Sequence, residues 1–436
     1  MGSFCRALPD ASTAAARDRA GSTAERAGGA CQDDGVTPAD PPTRSVLLAL
    51  DSFKGSVAAA RACEAIAAGW RSVDPHAALV ARPMADGGEG TLDAFATAVP
   101  GARRMPVRVT GPDGEPTDAA WLLLPATADA PNGTAVVELA STSGIELLHG
   151  RLRPWDAATS GFGEAIAAAL DHGVSRLVLG IGSSASTDGG IGMLSALGAR
   201  FTDASGASVP PGARGLAALD AVDLTALRPL PAGGVVVLTD VTHPLTGRRG
   251  AAAVFGPQKG LAPEDVAVAD AGLARLARAT SAALDVARAS SSLPGADAAS
   301  PAADPTAPGT GAAGGTGFAL RVWGARLVPG AAEVAALVGV REALADASIV
   351  VTGEGSYDGQ SAAGKVPAHV AALAAEAGVP VALVAGRIAA GADAGMFAAS
   401  VSLTDLAGSA AAAMADAERW LRDAGAELAR ALQRRA

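Results

Sequence analysis

Carboxylates stand among glycines and hydroxyl side chains in four segments of the 436-residue chain, each directly after a predicted strand. Oxygen ligands, beside glycines that let a ligand approach the backbone, are what a magnesium–nucleotide site requires. For any one segment an Asp-Gly turn is the simpler interpretation, because both residues dominate turns. Four such segments at the carboxyl ends of strands favour phosphate chemistry instead. The segments are 86–91, 182–190, 239–242 and 353–360.

Lysine occurs at only three positions, Lys54, Lys259 and Lys365, and each lies in a glycine-flanked loop. Lysines that serve only solubility would be scattered over the surfaces of helices. A lysine ammonium is a compact cation that suits a phosphate or a carboxylate. We therefore predict that at least two of the three lysines bind an anionic ligand.

Two segments come close to known phosphate-binding motifs without meeting their requirements. Residues 359–366 fit G-x4-G-K, but Val366 stands where a hydroxyl should bind Mg²⁺. Residues 309–314 fit G-x-G-x-x-G, yet they follow a proline-rich stretch rather than a strand. Both remain candidates for an anion-binding loop of another kind. The histidines show no metal-ligand spacing, and no G-x-S-x-G elbow indicates a serine hydrolase.

These loops need strands and helices to position them, and the hydrophobic pattern indicates alternating units of both. Strand–loop–helix units in series favour a parallel sheet with functional loops at its carboxyl ends. Alternation in 104–139 predicts hairpins, and Ser56 is the predicted N-cap of the first helix. The predicted strands are 45–50, 78–84, 176–180, 235–238, 349–352 and 381–385, and the predicted helices are 57–70, 160–172, 263–288 and 367–377.

The fold class that follows is α/β, with two α/β domains and the active site in the cleft between them. A discontinuous Rossmann-like domain, 44–100 plus 305–436, is interrupted by an inserted α/β domain, 101–288. Residues 1–43 lack periodicity and the apolar core of a signal peptide, which predicts a disordered N-terminal extension. Residues 289–304 are predicted to be a low-complexity insertion.

Composition argues against several classes of function. The formal net charge is -10 and no basic block stands in the folded segments, which argues against a nucleic-acid partner. No apolar run is long enough to span a membrane. Cys5, Cys31 and Cys63 form neither a disulfide framework nor a zinc spacing. We expect a cytoplasmic enzyme, monomeric or homodimeric, that acts on a small molecule.

The same loops resemble those of the bacterial glycerate kinases that make 2-phosphoglycerate. The matching segments occur in family order and cover about 45 to 390 or beyond. Two departures are Ser183, where the family usually has Gly, and His243, where it usually has Asn. The resemblance implies a two-domain α/β fold in which ATP and D-glycerate meet in the cleft. The matching segments are 51–56, 83–91, 180–190, 240–245, 254–260, 311–315 and 352–360.

Together, the resemblance and the loop pattern imply phosphorylation of D-glycerate by ATP and Mg²⁺, giving 2-phosphoglycerate or 3-phosphoglycerate. Asp188 is the predicted general base, and Lys54 is predicted to bind the substrate carboxylate or the transferred phosphoryl group. The other predicted substrate ligands are Ser52, Asp86, Gly87, Gly88, Glu89 and Ser184. The predicted nucleotide ligands are Gly311, Gly314, Gly315, Gly353, Glu354, Gly355, Asp358, Gln360 and Lys259. The predicted Mg²⁺ ligands are Asp86, Glu89, Asp188 and Asp240.

Two alternatives come from other classes of protein. The G-x-G-x-x-G at 309–314 would suit a nicotinamide-dependent oxidoreductase, which would bind NADH in preference to ATP. A non-catalytic hydroxy-acid sensor of the same fold would bind its ligand without turning over ATP. The retained aspartates and lysines argue against the sensor.

Overall fold

The structure is a computed structural model, and it describes residues 44–290, 303–358 and 365–434. The predicted N-terminal extension, 1–43, lies outside these ranges, as does most of the predicted insertion at 289–304. In the described ranges, no helix combines the length and the apolar character needed to cross a bilayer.

Strands and helices alternate along most of the described chain. The strands are β1 (Ser45–Leu50), β2 (Ala78–Ala81), β3 (Arg103–Thr110), β4 (Pro116–Leu124), β5 (Thr134–Glu138), β6 (Arg176–Gly180), β7 (Arg200–Thr202), β8 (Ala221–Asp223), β9 (Val235–Leu238), β10 (Arg326–Val328), β11 (Ile349–Tyr357), β12 (Val381–Ile388) and β13 (Ala399–Ser402). The helices are α1 (Ala59–Arg71), α2 (Thr91–Ala98), α3 (Ala140–Ser143), α4 (Ser160–Asp171), α5 (Ile191–Ala196), α6 (Ala213–Ala218), α7 (Ala251–Phe255), α8 (Val266–Ser290), α9 (Thr316–Trp323), α10 (Gly330–Leu337), α11 (Val340–Leu344), α12 (Val366–Ala377), α13 (Leu403–Ala407), α14 (Ala410–Ala415) and α15 (Ala417–Gln433). Short 3₁₀ turns cover Ile145–Leu148, Pro257–Lys259, Pro263–Asp265 and Ala312–Gly315.

The first sheet is built from strands near both ends of the described chain. Its five strands are all parallel, in the order β13-β12-β11-β1-β2. β1 lies between β11 and β2, with Val46 opposite both Ile349 and Leu79. Because a central strand is covered on both faces, it needs an unbroken apolar run, and residues 46–50 form one that is fully buried.

The second sheet joins a parallel half to an antiparallel hairpin. Its six strands follow the order β10-β9-β6-β5-β4-β3. β4 runs antiparallel to both of its neighbours, β3 and β5. In the hairpin, Met105 lies opposite Trp121, and the N–H of Gly111 donates to the carbonyl of Glu115 at 2.7 Å in the turn. This confirms the hairpin structure predicted within 104–139.

Helices cover both sheets, so that three apolar cores separate the layers. α1 and α15 pack on one face of the first sheet around Trp70. The middle core lies between the sheets and joins Leu47 of β1, Phe95 of α2 and Val178 of β6. The third core surrounds Phe162 and packs α4, α5 and α9 on the far face of the second sheet. The two sheets therefore share apolar packing behind the loops at their carboxyl ends.

Strand pairing moves one boundary of the predicted organisation. The sequence pattern assigns residues from 305 onward to the first sheet, but β10 pairs in parallel with β9 of the second sheet. Leu327 of β10 packs on the core of that sheet, which explains the pairing. The chain returns to the first sheet only at Ile349, where β11 begins. The division into two domains stays a prediction.

The first helix begins later than its sequence predicts, and the predicted cap is wrong. α1 begins at Ala59, with Ala58 at the N-cap position and no side chain capping it. The hydroxyl of Ser56 donates instead to the carbonyl oxygen of Phe53 at 2.8 Å. This hydrogen bond closes the tight turn after β1 and so fixes the loop that carries Lys54.

Gly69 marks the place where α1 meets α15, and substituting it tests that contact. A Cβ atom at Gly69 would lie 1.8 Å from the carbonyl oxygen of Arg422, so a side chain forces the helices apart. We expect Gly69→Ala to lower the free energy of unfolding by about 1–3 kcal/mol, the usual cost of overpacking. Urea denaturation measures it, with Ala68→Ser on the exposed face of the same helix as the control. Equal stability of the two variants would contradict this packing.

Candidate active site

The carboxyl ends of both sheets open into one cleft of about 1220 Å³. The loops after β1, β2, β6 and β9 line it together with the end of β5, which is where parallel strands place ligand-binding loops. Many of the predicted site residues meet there. They are Ser52, Lys54, Asp86, Gly88, Glu89, Ser184, Asp240 and Lys259.

Lys54 and Asp86 form an ion pair in the cleft. Lys54 Nζ lies 2.8 Å from Asp86 Oδ2, and Asp86 Oδ1 accepts the N–H of Gly88 at 2.9 Å. Burial opposes the ionisation of Asp86, but the charge of Lys54 and these hydrogen bonds outweigh it and lower the pKa of Asp86. The Lys54 side chain is 73% exposed, so its ammonium is also accessible to a ligand.

Asp51 begins the matching segment 51–56 and belongs to this cluster, although it was not among the predicted ligands. It follows β1 directly, is 8% exposed, and accepts the N–H of Ser52 at 2.7 Å. Burial, together with the negative charge of Asp86, raises the pKa of Asp51 to about 8. The signal that could have identified it is its position, the first residue after a predicted strand.

Asp240 approaches the same cluster from the second sheet. Its Oδ1 accepts the N–H of Gly330 at 3.0 Å, at the first residue of α10. Gly330 has no space for a side chain, because a Cβ atom would lie 2.2 Å from the carbonyl oxygen of Asp86. Burial raises the pKa of Asp240, and the charge of Asp86 raises it further. A raised pKa makes a carboxylate a better proton acceptor.

Glycine backbones bring the loops of the two sheets into contact. Gly87 has a φ of 95°, and its carbonyl oxygen accepts the N–H of Gly182 at 2.9 Å. A Cβ atom at Gly87 would lie 2.4 Å from the carbonyl oxygen of Leu238, and one at Gly182 would lie 2.5 Å from Gly88 Cα. Gly87, a predicted substrate ligand, is therefore buried in this contact, whereas Gly88 lines the cleft.

Glu138, the last residue of β5, also lines the cleft, and sequence reasoning missed it. It is 4% exposed, and its two carboxylate oxygens accept the N–H groups of Gly90 and Leu92 at 3.3 and 3.0 Å. The carboxylate thus ties the start of α2 to the second sheet. Burial raises the pKa of Glu138 to about 7. A single glutamate that ends an apolar strand belongs to no motif, so no sequence signal separated it from a solvent-facing residue.

Asp188 is fully buried and does not line the cleft. Its Oδ1 accepts hydrogen bonds from Ser186 Oγ and the N–H of Gly190 at 3.0 and 3.1 Å. Its Oδ2 accepts the N–H and hydroxyl of Thr159 and the N–H of Gly192, at 2.8 to 3.3 Å. With both oxygens occupied, it has no lone pair directed at a substrate or a metal ion. This geometry favours a structural role for Asp188, while its roles as general base and Mg²⁺ ligand stay predictions.

The loop between β6 and Asp188 presents Ser183 and Ser184 to the cleft. Ser183 has a φ of 58°, a left-handed conformation that costs roughly 1–2 kcal/mol for a residue other than glycine. Glycine is usual at this position in the family that the loop resembles. Lys259 lies behind the same loop, 2% exposed, and donates to Ser184 Oγ at 2.7 Å and to the carbonyl oxygen of Ser186 at 2.5 Å.

The predicted nucleotide loop at 311–315 uses its glycines for internal packing. Cβ atoms on the three predicted glycines would lie 2.2, 2.1 and 2.9 Å from the backbone of Pro244, Ser186 and Gly189 respectively. These three glycines therefore permit close packing of backbone segments, and their role as nucleotide ligands stays a prediction. The predicted glycines are Gly311, Gly314 and Gly315, and the residues of this turn that line the cleft are Ala312 and Ala313.

The fourth predicted loop is largely strand, because β11 pairs with β12 as far as Tyr357. A Cβ atom at Gly353 would lie 2.0 Å from the carbonyl oxygen of Val384, inside the sheet. Glu354 is 7% exposed, with Oε2 3.7 Å from Lys365 Nζ. Four predicted nucleotide ligands of this segment do not line the cleft: Gly353, Glu354, Gly355 and Asp358. The fifth, Gln360, lies outside the described residues.

The carboxylates of the cleft suit a magnesium ion that arrives with a nucleotide. Within the described ranges, no group of three or more His, Cys, Asp and Glu side chains is arranged to hold a metal ion. Asp86, Glu89 and Asp240 nevertheless line the cleft. Mg²⁺ is commonly held by one or two carboxylates and completed by phosphate oxygens and water. The residues present fit that mode of binding and do not form a complete site of their own.

Comparison with known proteins gives consistent matches. The model of the glycerate kinase family matches residues 46–433. The glycerate 2-kinase of Escherichia coli K12 is 38% identical over 346 residues, 79% of this chain and 85% of that protein. The glycerate kinase of Bacillus subtilis 168 is 40% identical over 349 residues, with the same shares of 79% and 85%. A crystal structure assigned as glycerate kinase 2 from Salmonella typhimurium LT2 has a TM-score of 0.73 at 36% identity, covering 90% of this chain and 98% of that one.

Asp188→Asn distinguishes a structural aspartate from a catalytic one. The asparagine amide keeps one acceptor oxygen. Its NH₂ group replaces the other oxygen and points at N–H and hydroxyl donors that the carboxylate accepts in the wild-type protein. We expect the free energy of unfolding to fall by about 2–4 kcal/mol, because charge-assisted hydrogen bonds are lost and buried donors are left unpaired. Thermal and urea denaturation measure the change, with Asp129→Asn at an exposed position as the control. Loss of turnover at unchanged stability would support the predicted catalytic role instead.

Proposed function

Because the chain belongs to the glycerate kinase family, it is a phosphotransferase, and we propose that it transfers the γ-phosphoryl group of ATP to the 2-hydroxyl of D-glycerate. The observation that carries the proposal is the meeting of Lys54, Asp86 and Asp240 in one cleft at the carboxyl ends of two sheets. An accessible ammonium beside carboxylates provides both the cation and the proton acceptor that phosphoryl transfer needs. Transfer to the 3-hydroxyl is the competing outcome.

In this proposal the protein mainly positions groups and neutralises charge. Lys54 neutralises the transferred group, and Asp86 holds the ammonium in place. Asp240 accepts the proton of the attacking hydroxyl, because burial and Asp86 raise its pKa and Asp188 is enclosed. Asp86 and Glu89 are then the carboxylates that would hold Mg²⁺. When bound, the ion neutralises charge on the phosphate oxygens.

The alternatives gain no support from the structure. Residues of the G-x-G-x-x-G motif form a tight 3₁₀ turn, Ala312–Gly315, that packs against the loop after β6 instead of following a strand. The pyrophosphate of a nicotinamide cofactor needs open glycines at the start of a helix after a strand. We also infer a cytoplasmic location, where ATP is available, and Cys63 is present as a buried free thiol in agreement with it. A monomer or a homodimer stays a prediction.

Phosphorus NMR of the product tests the reaction and its position together. With D-glycerate, ATP and Mg²⁺, we expect ADP and a new phosphomonoester whose proton-coupled resonance is a doublet, because C2 carries one hydrogen. A triplet would indicate phosphorylation of the 3-hydroxyl, where the carbon carries two. The control is the same mixture with L-glycerate. A purified, folded enzyme that forms no phosphomonoester from D-glycerate would overturn the proposed function.

Lys54→Ala tests the cation of the cleft. We expect kcat to fall by about 10²- to 10³-fold, in the range seen when one electrostatic contact to a transition state is removed. The stability should change little, since the Lys54 side chain is 73% exposed. Steady-state kinetics provide the measurement. Arg108→Ala, which removes an exposed cation of β3 away from the cleft, should retain wild-type kinetics.

A further inference from the structure

Lys259 is a buried cation for which the described protein provides no ion-pair partner. Its side chain is among the largest of those that are fully buried, and the residue lines the cleft. Its ammonium makes two hydrogen bonds within the described residues, both to neutral oxygens, Ser184 Oγ and the carbonyl of Ser186. No carboxylate in the described ranges lies within 4.0 Å of it.

Such an arrangement is costly unless something in the working protein balances the charge. Buried charges in proteins are normally paired, because removing an ion from water costs several kcal/mol. Asp188 is the nearby anion whose charge acts on Lys259, but it makes no direct contact with Lys259. Both oxygens of Asp188 already accept hydrogen bonds, from its own loop and from Thr159. An ammonium has three N–H donors, so Lys259 retains a third donor beyond its two described hydrogen bonds.

Lys259 also sets the orientation of the Ser184 hydroxyl. Since the ammonium can only donate, Ser184 Oγ accepts from it at 2.7 Å, and the hydroxyl proton of Ser184 must point elsewhere. Ser184 makes no other side-chain hydrogen bond within the described residues, and it lines the cleft. The serine is therefore held as a hydrogen-bond donor toward the ligand space. A donor in that place favours an anionic oxygen over a neutral hydroxyl.

We propose that Lys259 and Ser184 bind one anionic group of the ligand between them, and that the ligand thereby supplies the missing counter-ion of Lys259. The proposal rests on the proposed function, in which both ligands are anionic. The shared chemistry is a negatively charged oxygen, either from a phosphate of ATP or from the carboxylate of glycerate. The pair forms an anion site separate from Lys54, which has its own carboxylate partner.

Direct binding of each ligand alone tests the proposal and identifies the source of the oxygen. Calorimetric titration with ADP and with D-glycerate is carried out on the wild-type protein, Lys259→Met and Ser184→Ala. We expect Lys259→Met to weaken one ligand by about 10- to 100-fold, as for a charge-assisted contact, and Ser184→Ala to weaken the same ligand by about 3- to 10-fold. The other ligand should bind within about twofold of wild type, which also shows that the variant is folded.

A protonation measurement on the wild-type protein gives a second, independent readout. Burial lowers the pKa of Lys259 to about 7, against the opposing charge of Asp188. α7 and the 311–315 turn contain no titratable side chain of their own, but the ring of His243 contacts Phe255 of α7. The other charged or titratable side chains that line the cleft are Lys54, Asp86, Glu89, Asp93, Arg104, Glu138, Glu146 and Asp240. Above pH 7 the free protein therefore holds much of Lys259 neutral, and binding of an anion should draw in a proton. Titrations at pH 8 in buffers of different ionisation enthalpy should show uptake, which Lys259→Met abolishes.

Two outcomes would overturn the pairing of Lys259 with Ser184. In the first, both variants bind both ligands as the wild type does. In the second, each variant weakens a different ligand. If Lys259→Met does not fold, the binding of Ser184→Ala decides. An unchanged affinity of Ser184→Ala for both ligands rejects the proposal, and so does wild-type binding without proton uptake. Failure of the proposed function is distinguishable, because the wild type would then form no phosphomonoester from D-glycerate and ATP.

Discussion

The two sheets meet through backbone at the cleft, and the geometry of the site depends on that contact. The carbonyl of Gly87 accepts the N–H of Gly182, and neither residue has space for a Cβ atom. This close approach places Asp86, one residue earlier, beside the carboxyl ends of the second sheet, where Glu138 and Asp240 lie. A side chain at either glycine would separate the two sets of loops. The carboxylate cluster therefore depends on residues that have no side-chain chemistry of their own.

The cleft carries less negative charge than its residue types suggest. Burial raises the pKa of Asp51 to about 8 and that of Glu138 to about 7, so both are partly protonated near neutral pH. Asp86 keeps its charge because Lys54 lies beside it. This distribution reduces the negative charge that the anionic substrates of the proposed reaction would meet in the cleft, although the formal net charge of the chain is -10. The local balance, rather than the net charge, decides what the cleft accepts.

Local hydrophobic patterning predicted the strands well, because a strand buried on both faces needs an unbroken apolar run. The strand predicted at 235–238 is confirmed as Val235–Leu238. Local patterning could not predict contacts between segments that are far apart in the sequence. The pairing of β10 with β9 joins segments about ninety residues apart, and the hydroxyl of Thr159 that encloses Asp188 lies 29 residues before it. Position after a strand identified Lys54 and Asp86 correctly as cleft residues, but the same rule failed for Asp188, whose surroundings are set by tertiary contacts.

The place of β1 in its sheet bears on how the chain is made. β1 is the first strand of the described ranges to be synthesised, yet it needs β11 as a neighbour, and its Ala49 and Thr352 of β11 are 303 residues apart. At roughly 5–20 residues per second, about 15–60 s pass between them on the ribosome. The whole second sheet is translated within that interval. One edge of an apolar strand meanwhile lacks its partner, which is the kind of surface that recruits chaperones and seeds aggregation.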